Sequence, residues 1–225
     1  LVLLRSVLVK LKPSIMLVLA GVNDVGMEPA GPGDEFDIPD PDTWRLWPRL
    51  SRHSELANTA LNIVRARRAA RLSVAIDQPV DFASLPKRAM TEEEITVDLA
   101  SYLKYLEGYS ARLSALVLES RAAAIEPVLL TQPALAGDAV DPATGADLST
   151  IDVGTRNGRA EWRLLELHND IMRQTAARHG VFLIDLARQL PKDSRYYYDF
   201  YHFSNEGAVA VGEIVAAELG RHLVR

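Results

Sequence analysis

The chain has 225 residues, 48% of them hydrophobic and 24% charged, which supplies the apolar mass of one globular domain and excludes a disordered segment. With 25 Lys and Arg against 30 Asp and Glu the formal charge is −5, so no global basic field holds a nucleic-acid backbone and duplex DNA is not an expected partner. The absence of cysteine removes disulfides, thiolate zinc sites and cysteine nucleophiles together, and leaves cytoplasmic and exported locations both open.

Leu1 to Val9 is apolar but broken by Arg5, and it is far shorter than the roughly 20 residues of a membrane span. It carries neither a small-residue cleavage site nor an initiator Met, so the chain is expected to begin inside a longer protein. Apolar residues at helical intervals up to Leu11, stopped at Lys12-Pro13, predict the tail of a helix. Ile15 to Ala20 is a continuous apolar run closed by Gly21, the pattern of a parallel strand buried on both faces. Residues 27–50 are dense in Pro, Gly and Asp around Trp44 and Trp47, and the whole stretch 27–90 reads as an insertion or lid within a single domain. Inside it, Leu56 to Leu72 is helical in composition and holds Arg65, Arg67, Arg68 and Arg71.

Thr91-Glu92-Glu93-Glu94 forms a capping-box signature for a long helix that is expected to bury Ile95, Leu99, Leu103, Leu106, Leu113, Leu116 and Val117 and to end at Glu126-Pro127. Val128 to Thr131 then reads as a second buried strand, with Gln132-Pro133 at its carboxyl end. Glu161 to His179 repeats Trp162, Leu165, Ile171, Met172 and Ala176 at helical spacing, and Gly180 stands where a left-handed cap belongs. Val181 to Asp185 is the third expected strand. After the aromatic run Tyr196 to Phe203, Ser204-Asn205-Glu206 opens a last amphipathic helix. Strand and helix alternate, which predicts a parallel α/β sheet with helices on both faces.

In such a sheet ligands bind beyond the carboxyl ends of the strands, and Gly21-Val22-Asn23-Asp24 lies there after the first strand. Gly permits a sharp turn and close approach of a substrate, while an Asn amide offers N–H donors suited to a developing oxyanion. The same four residues also suit an ordinary strand-ending turn, in which Asn and Asp bond their own backbone. Asp199-Phe200-Tyr201-His202 is the second candidate. A carboxylate three residues before an imidazole on a tight turn accepts from one ring nitrogen and leaves the other free as a general base. An ion pair beside a helix N-terminus explains the same residues without chemistry.

Together, Gly21-Val22-Asn23-Asp24 after a hydrophobic strand and Asp199-Phe200-Tyr201-His202-Phe203-Ser204-Asn205-Glu206-Gly207 before a terminal helix resemble the SGNH (GDSL-type) hydrolase superfamily. Lys12-Pro13, Leu167-His168-Asn169-Asp170 and Ile184-Asp185-Leu186 follow in the family's order. The resemblance implies a three-layer α/β/α sandwich with a flavodoxin-like parallel sheet, and a serine ester hydrolase that needs no metal and no organic cofactor. It implies that Asn23 gives its amide to the oxyanion hole, that Gly21 shapes that loop, that His202 is the base and that Asp199 orients it. Tyr198, Tyr201, Trp44 and Trp47 are candidate substrate-binding residues, because aromatics give large contact area with few rotors.

The family's nucleophilic Ser lies in an N-terminal block after its first strand, and a second oxyanion-hole Gly follows its second strand. Neither block occurs here, so the resemblance implies roughly 60 or more residues, two strand–helix units, in front of Leu1. Ser14 precedes a strand of about six residues and lies some 20 Å from the carboxyl-end loop, at the wrong pole. The strand at 15–20 is therefore expected to pair with a preceding segment or a second chain, since an open apolar edge invites pairing. The arginines at 65, 67, 68 and 71 form either a solvated face or a peripheral contact with anionic lipid. His53, His168, His179 and His222 lack metal-ligand spacing. An acetylated carbohydrate or a short acyl or lipid ester is the expected substrate class. Two other readings stay open: a noncatalytic ligand-binding protein of the same fold, and an O-acyltransferase acting on a glycan.

Overall fold

Residues 1, 3–26 and 80–224 are described by the computed structural model. Trp44, Trp47, the arginines at 65, 67, 68 and 71 and the helical stretch 56–72 lie outside the described residues.

The chain opens with a π-helical turn, Leu4–Leu8, that runs into the short helix α1 (Val9–Leu11). Lys12 ends it with φ 50, as the following proline disfavours the helical region for its predecessor. Three strands, β1 (Ile15–Leu19), β2 (Glu126–Leu130) and β3 (Leu183–Ile184), form a parallel sheet in the order β1-β2-β3. Ile15 stands opposite Glu126, Leu19 opposite Leu130 and Leu129 opposite Leu183. Between the strands run α2 (Glu92–Ala122) and α3 (Gly158–His179); α4 (Leu186–Gln189) and α5 (Asn205–Leu223) follow β3.

Alternation along the strands divides the core between two faces. Met16, Val18 and Leu129 pack with Tyr109, Leu113 and Val117 of α2 and Met172 and Ala176 of α3. On the other face Val128, Leu130 and Ile184 pack with Leu186, Leu190, Tyr197 and the Ile214, Val215 and Leu219 side of α5. Helices thus cover both faces of the parallel sheet, a three-layer α/β/α arrangement. Each fully buried Leu or Val in these clusters contributes about 2 kcal/mol of transfer free energy.

Several boundaries differ from the sequence expectation. Glu126 and Pro127 do not end the long helix; they open β2. The helix stops at Ala122, and Ala124, at φ 59, turns the chain so that the Ile125 amide donates to the Ser120 carbonyl. Pro127 is tolerated in the central strand because alternate amides Leu129 and Thr131 donate toward β3, and at Pro127 that partner has not yet begun. Of the positions expected to be buried, Leu99, Leu106 and Leu116 are half-buried and Leu103 is 52% exposed. The inward stripe of α2 runs through Ile95, Leu99, Tyr102, Leu106, Tyr109, Leu113 and Val117, a three-and-four spacing that passes beside Leu103.

β1 is not buried on both faces. Met16 and Val18 are buried, but Leu17 and Leu19 are 47% and 42% exposed; among the described residues β1 is the edge of the sheet, and these two share the face of Val128 and Leu130 at its outer margin. β3 has two residues where five were expected. Asp185 leaves the strand to accept from Thr131 Oγ1 at 2.8 Å and from Arg173 Nη2 at 2.9 Å. The described part of the expected insertion, 80–90, belongs to the main core: Phe82 is buried and meets Phe200 edge-on at 5.5 Å.

Candidate active site

Both candidate segments stand at the carboxyl end of the sheet, and each is hydrogen-bonded to the segment that follows β2. The first is a 3-10 turn, Val22–Asp24, entered through the buried Gly21. Gly21 is closely packed: a Cβ there would stand 3.0 Å from Gln132 Oε1 and 3.2 Å from Leu165 Cδ1, so both side chains would have to give by a few tenths of an ångström. α2 holds the turn from one side, with Tyr109 Oη donating to the Ala20 carbonyl at 3.1 Å and Arg112 pairing with Asp24 at 2.7 Å. Gln132 Oε1 holds it from the other by accepting from Val22 N at 2.8 Å. The Asp24 carboxylate is thus engaged by α2 and not by its own backbone. The exposed Asn23 amide has no hydrogen bond among the described residues.

The second segment is a hairpin-like loop. Ser204 N donates to the Tyr196 carbonyl at 3.0 Å and Tyr198 N to the His202 carbonyl at 3.1 Å, which brings residues 199–202 to its tip. There Asp199 Oδ1 accepts from the amides of Tyr201 and His202, both at 2.8 Å, while Oδ2 accepts from His202 Nδ1 at 2.7 Å. A carboxylate that accepts from amides two and three residues ahead is a local consequence of the Asp-x-x-His sequence. The bond makes Nδ1 the protonated nitrogen of the neutral ring and leaves the Nε2 lone pair free. The His202 side chain is 61% exposed and that of Asp199 15%, so the imidazole meets solvent while the carboxylate is sheltered.

The loop is fixed at several points. Tyr198 stacks on the His202 ring at 5.5 Å. The Tyr201 hydroxyl donates to Glu161, which also pairs with Arg156 at 3.3 Å. Burial, then the Glu161 charge, push the Tyr201 phenol well above its ordinary range. Phe200 anchors the loop through its carbonyl, which accepts from Leu135 N at 2.9 Å. Gln132 and Leu135 are three residues apart in sequence, at most about 10 Å along the chain, so one short segment receives both candidate loops. Lys192 clamps that segment by donating to the Ala134 carbonyl at 2.8 Å and to the Ala136 carbonyl, with its ammonium 3.4 Å from the Trp162 ring centre.

Two residues of the Leu167-His168-Asn169-Asp170 run, to which the sequence assigned no role at the site, lie beneath the turn. His168 and Asn169 are fully buried. His168 Nδ1 bonds the Leu164 carbonyl at 3.1 Å, and Nε2 meets no partner in good hydrogen-bond geometry among the described residues; burial lowers its pKa, against the opposing pull of the Leu164 carbonyl, the Asp24 charge and the Asp24 backbone. Asn169 receives Gln132 N on Oδ1 at 2.8 Å and returns Nδ2 to the Gln132 carbonyl at 3.0 Å. Polar residues at adjacent positions on the buried stripe of an amphipathic helix were the available signal. His179 bonds Ser114 and His222 stacks on Phe182. Ser14 stands before β1, at the amino end of the sheet. Among the described residues no three His, Asp or Glu side chains are grouped as metal ligands, and no helix is long and apolar enough to cross a membrane.

No protein-family model matches the chain and no curated protein matches it. Solved structures similar to part of it include an α/β hydrolase from the metagenome of Lake Arreo, Spain, with 21% identity over 51% of this chain and 47% of that one and a TM-score of 0.37. Another is an acetylxylan esterase from Geobacillus stearothermophilus, with 20% identity over 56% of this chain and 52% of that one and a TM-score of 0.37. The chain spans about half the length of these structures.

Proposed function

We propose that the chain carries the base, its orienting acid and an oxyanion donor of a serine ester hydrolase. The observation that supports this most is the Asp199–His202 bond at 2.7 Å with the imidazole open to solvent, on a loop that shares its anchoring segment with the turn bearing the unengaged Asn23 amide. In this reading His202 Nε2 takes the proton of a serine hydroxyl as its oxygen attacks the ester carbonyl carbon. The Asn23 amide donates to the oxyanion that forms. When the tetrahedral intermediate collapses, the alcohol leaves with the proton from the imidazolium. Water, deprotonated by the same nitrogen, then attacks the acyl-enzyme and releases the carboxylic acid.

The serine belongs, in this proposal, to chain outside these 225 residues; the half-exposed Leu17 and Leu19 on β1 are consistent with that chain pairing there. The substrate class is an acetylated carbohydrate or a short acyl or lipid ester. Hydrolysis of p-nitrophenyl acetate by the product of the complete gene tests the reading. His202→Ala is expected to lower kcat by on the order of 10⁶-fold, and Asn23→Ala by about 10²-fold. Hydrolysis unaffected by His202→Ala overturns it; transfer of the acetyl group to an added glycan in place of water makes the protein an acyltransferase.

A further inference from the structure

We infer that Gln132 is a positioning residue: its side-chain carbonyl sets the place of the Val22–Asn23 turn, and Asn169 holds Gln132 in the register that makes this possible. The inference deepens the hydrolase reading and rests on it for its catalytic consequence.

Gln132 follows β2 by two residues, at the carboxyl end of the central strand. Its Oε1 is the acceptor for Val22 N at 2.8 Å, the amide immediately before Asn23. The contact leaves little room at residue 21, where a Cβ would meet Oε1 at 3.0 Å and Gln132 Cβ at 3.3 Å and would press on the Gln132 side chain. A strand-following glutamine is ordinarily free to rotate through several rotamers, yet both backbone groups of Gln132 are fixed by one fully buried side chain, Asn169. Asn169 is in turn oriented by a third bond, from Nδ2 to Glu166 Oε1 at 2.8 Å. Glu166 pairs with Arg173 at 3.1 Å, and Arg173 with Asp185 at 2.9 Å beyond the end of β3. Asp185 closes the path by accepting from Thr131, the neighbour of Gln132. An unbroken run of bonds therefore fixes the residue whose amide oxygen receives Val22. Among the described residues no hydrogen bond fixes Asn23 itself, so the geometry of its donor depends on the turn that carries it. Misplacing a catalytic group by about 1 Å costs on the order of 10² in rate.

Amide hydrogen exchange and steady-state kinetics on the product of the complete gene test this together. Gln132→Leu removes the acceptor and keeps an apolar body of similar length; Gln132→Glu keeps an oxygen for Val22 N. The leucine variant is expected to speed exchange of the Val22 amide at least tenfold while the Leu129 amide, bonded across the sheet to Phe182, keeps its protection as the control for folding. The glutamate variant is expected to restore Val22 protection. In p-nitrophenyl acetate hydrolysis the leucine variant is expected to lose about 10²-fold in kcat with KM within about twofold, the signature of an interaction felt in the transition state. Unchanged Val22 exchange in Gln132→Leu overturns the positioning role, and so does faster exchange with undiminished kcat. If wild-type hydrolysis proves insensitive to His202→Ala, the hydrolase reading has failed, and the exchange result by itself decides whether Gln132 holds the turn.

Discussion

Asp199 places four acceptor lone pairs where a short loop needs three, and this arithmetic sets the His202 ring. Oδ1 takes two amides and Oδ2 the imidazole. Asp199→Asn keeps an acceptor for the amides but turns an N–H2 toward Nδ1, which forces the ring into the tautomer protonated on Nε2. The variant is expected to unfold within about 0.5 kcal/mol of wild type by urea titration, while kcat falls by about 10⁴-fold. A second residue-scale effect belongs to His168. Burial depresses its pKa below the ordinary 6.5, so the folded state binds a proton less readily than the unfolded chain. The stability from keeping this ring neutral is fully present above pH 6.5 and is lost as pH falls through the depressed folded value. Urea midpoints at pH 7.5 and 5 are expected to separate more for wild type than for His168→Leu; equal separation would show that this ring does not set the acid response.

At the scale of elements, ends are held by local chemistry and interiors by the stripe they bury. Thr91 and Glu94 close a capping box at 3.2 and 2.7 Å, and Thr91→Ala is expected to cost about 1 kcal/mol of stability by denaturant unfolding. α5 begins against the loop that carries His202: Ser204 Oγ accepts from Gly207 N at 3.1 Å, and a Cβ at Gly207 would fall 1.9 Å from the Tyr196 carbonyl oxygen. Gly207→Ala must therefore displace backbone at the base of the 196–204 loop, and it is expected to lower hydrolysis as well as stability, unlike Thr91→Ala, which lowers stability alone. These elements were readable from sequence because caps and periodicity are local. The capping box, the Gly180 stop at φ 59 and the Ser204 cap follow from residues within four positions of each other. The end of α2 was not readable, since a left-handed Ala124 has no compositional signal and Glu126-Pro127 looked like the terminator. Leu103 was misplaced because a count of apolar residues does not say which of two adjacent stripes faces the sheet.

Over the whole molecule, parallel topology carries residues distant in sequence to one end of the sheet. The Asn23 turn and the His202 loop meet the same segment after β2, and their motifs were visible in sequence because each is a contiguous run. The roles of Gln132, Asn169 and Glu161 were not legible, because their partners lie 110, 37 and 40 residues away and only the fold joins them. The β1 edge bears on the proposed pairing with chain beyond these residues. Leu17→Lys is expected to change stability by no more than about 0.5 kcal/mol in the 225-residue chain, where Leu17 is half exposed, and to cost about 2 kcal/mol in the product of the complete gene if a neighbouring strand buries it. Fluorophosphonate labelling of that same product, followed by peptide mass spectrometry, reads the central proposal most directly, since the reagent reacts with a serine only where a base activates it. The account predicts one modified serine outside these 225 residues, with labelling abolished by His202→Ala; labelling that persists in that variant, or no labelled serine at all, contradicts it.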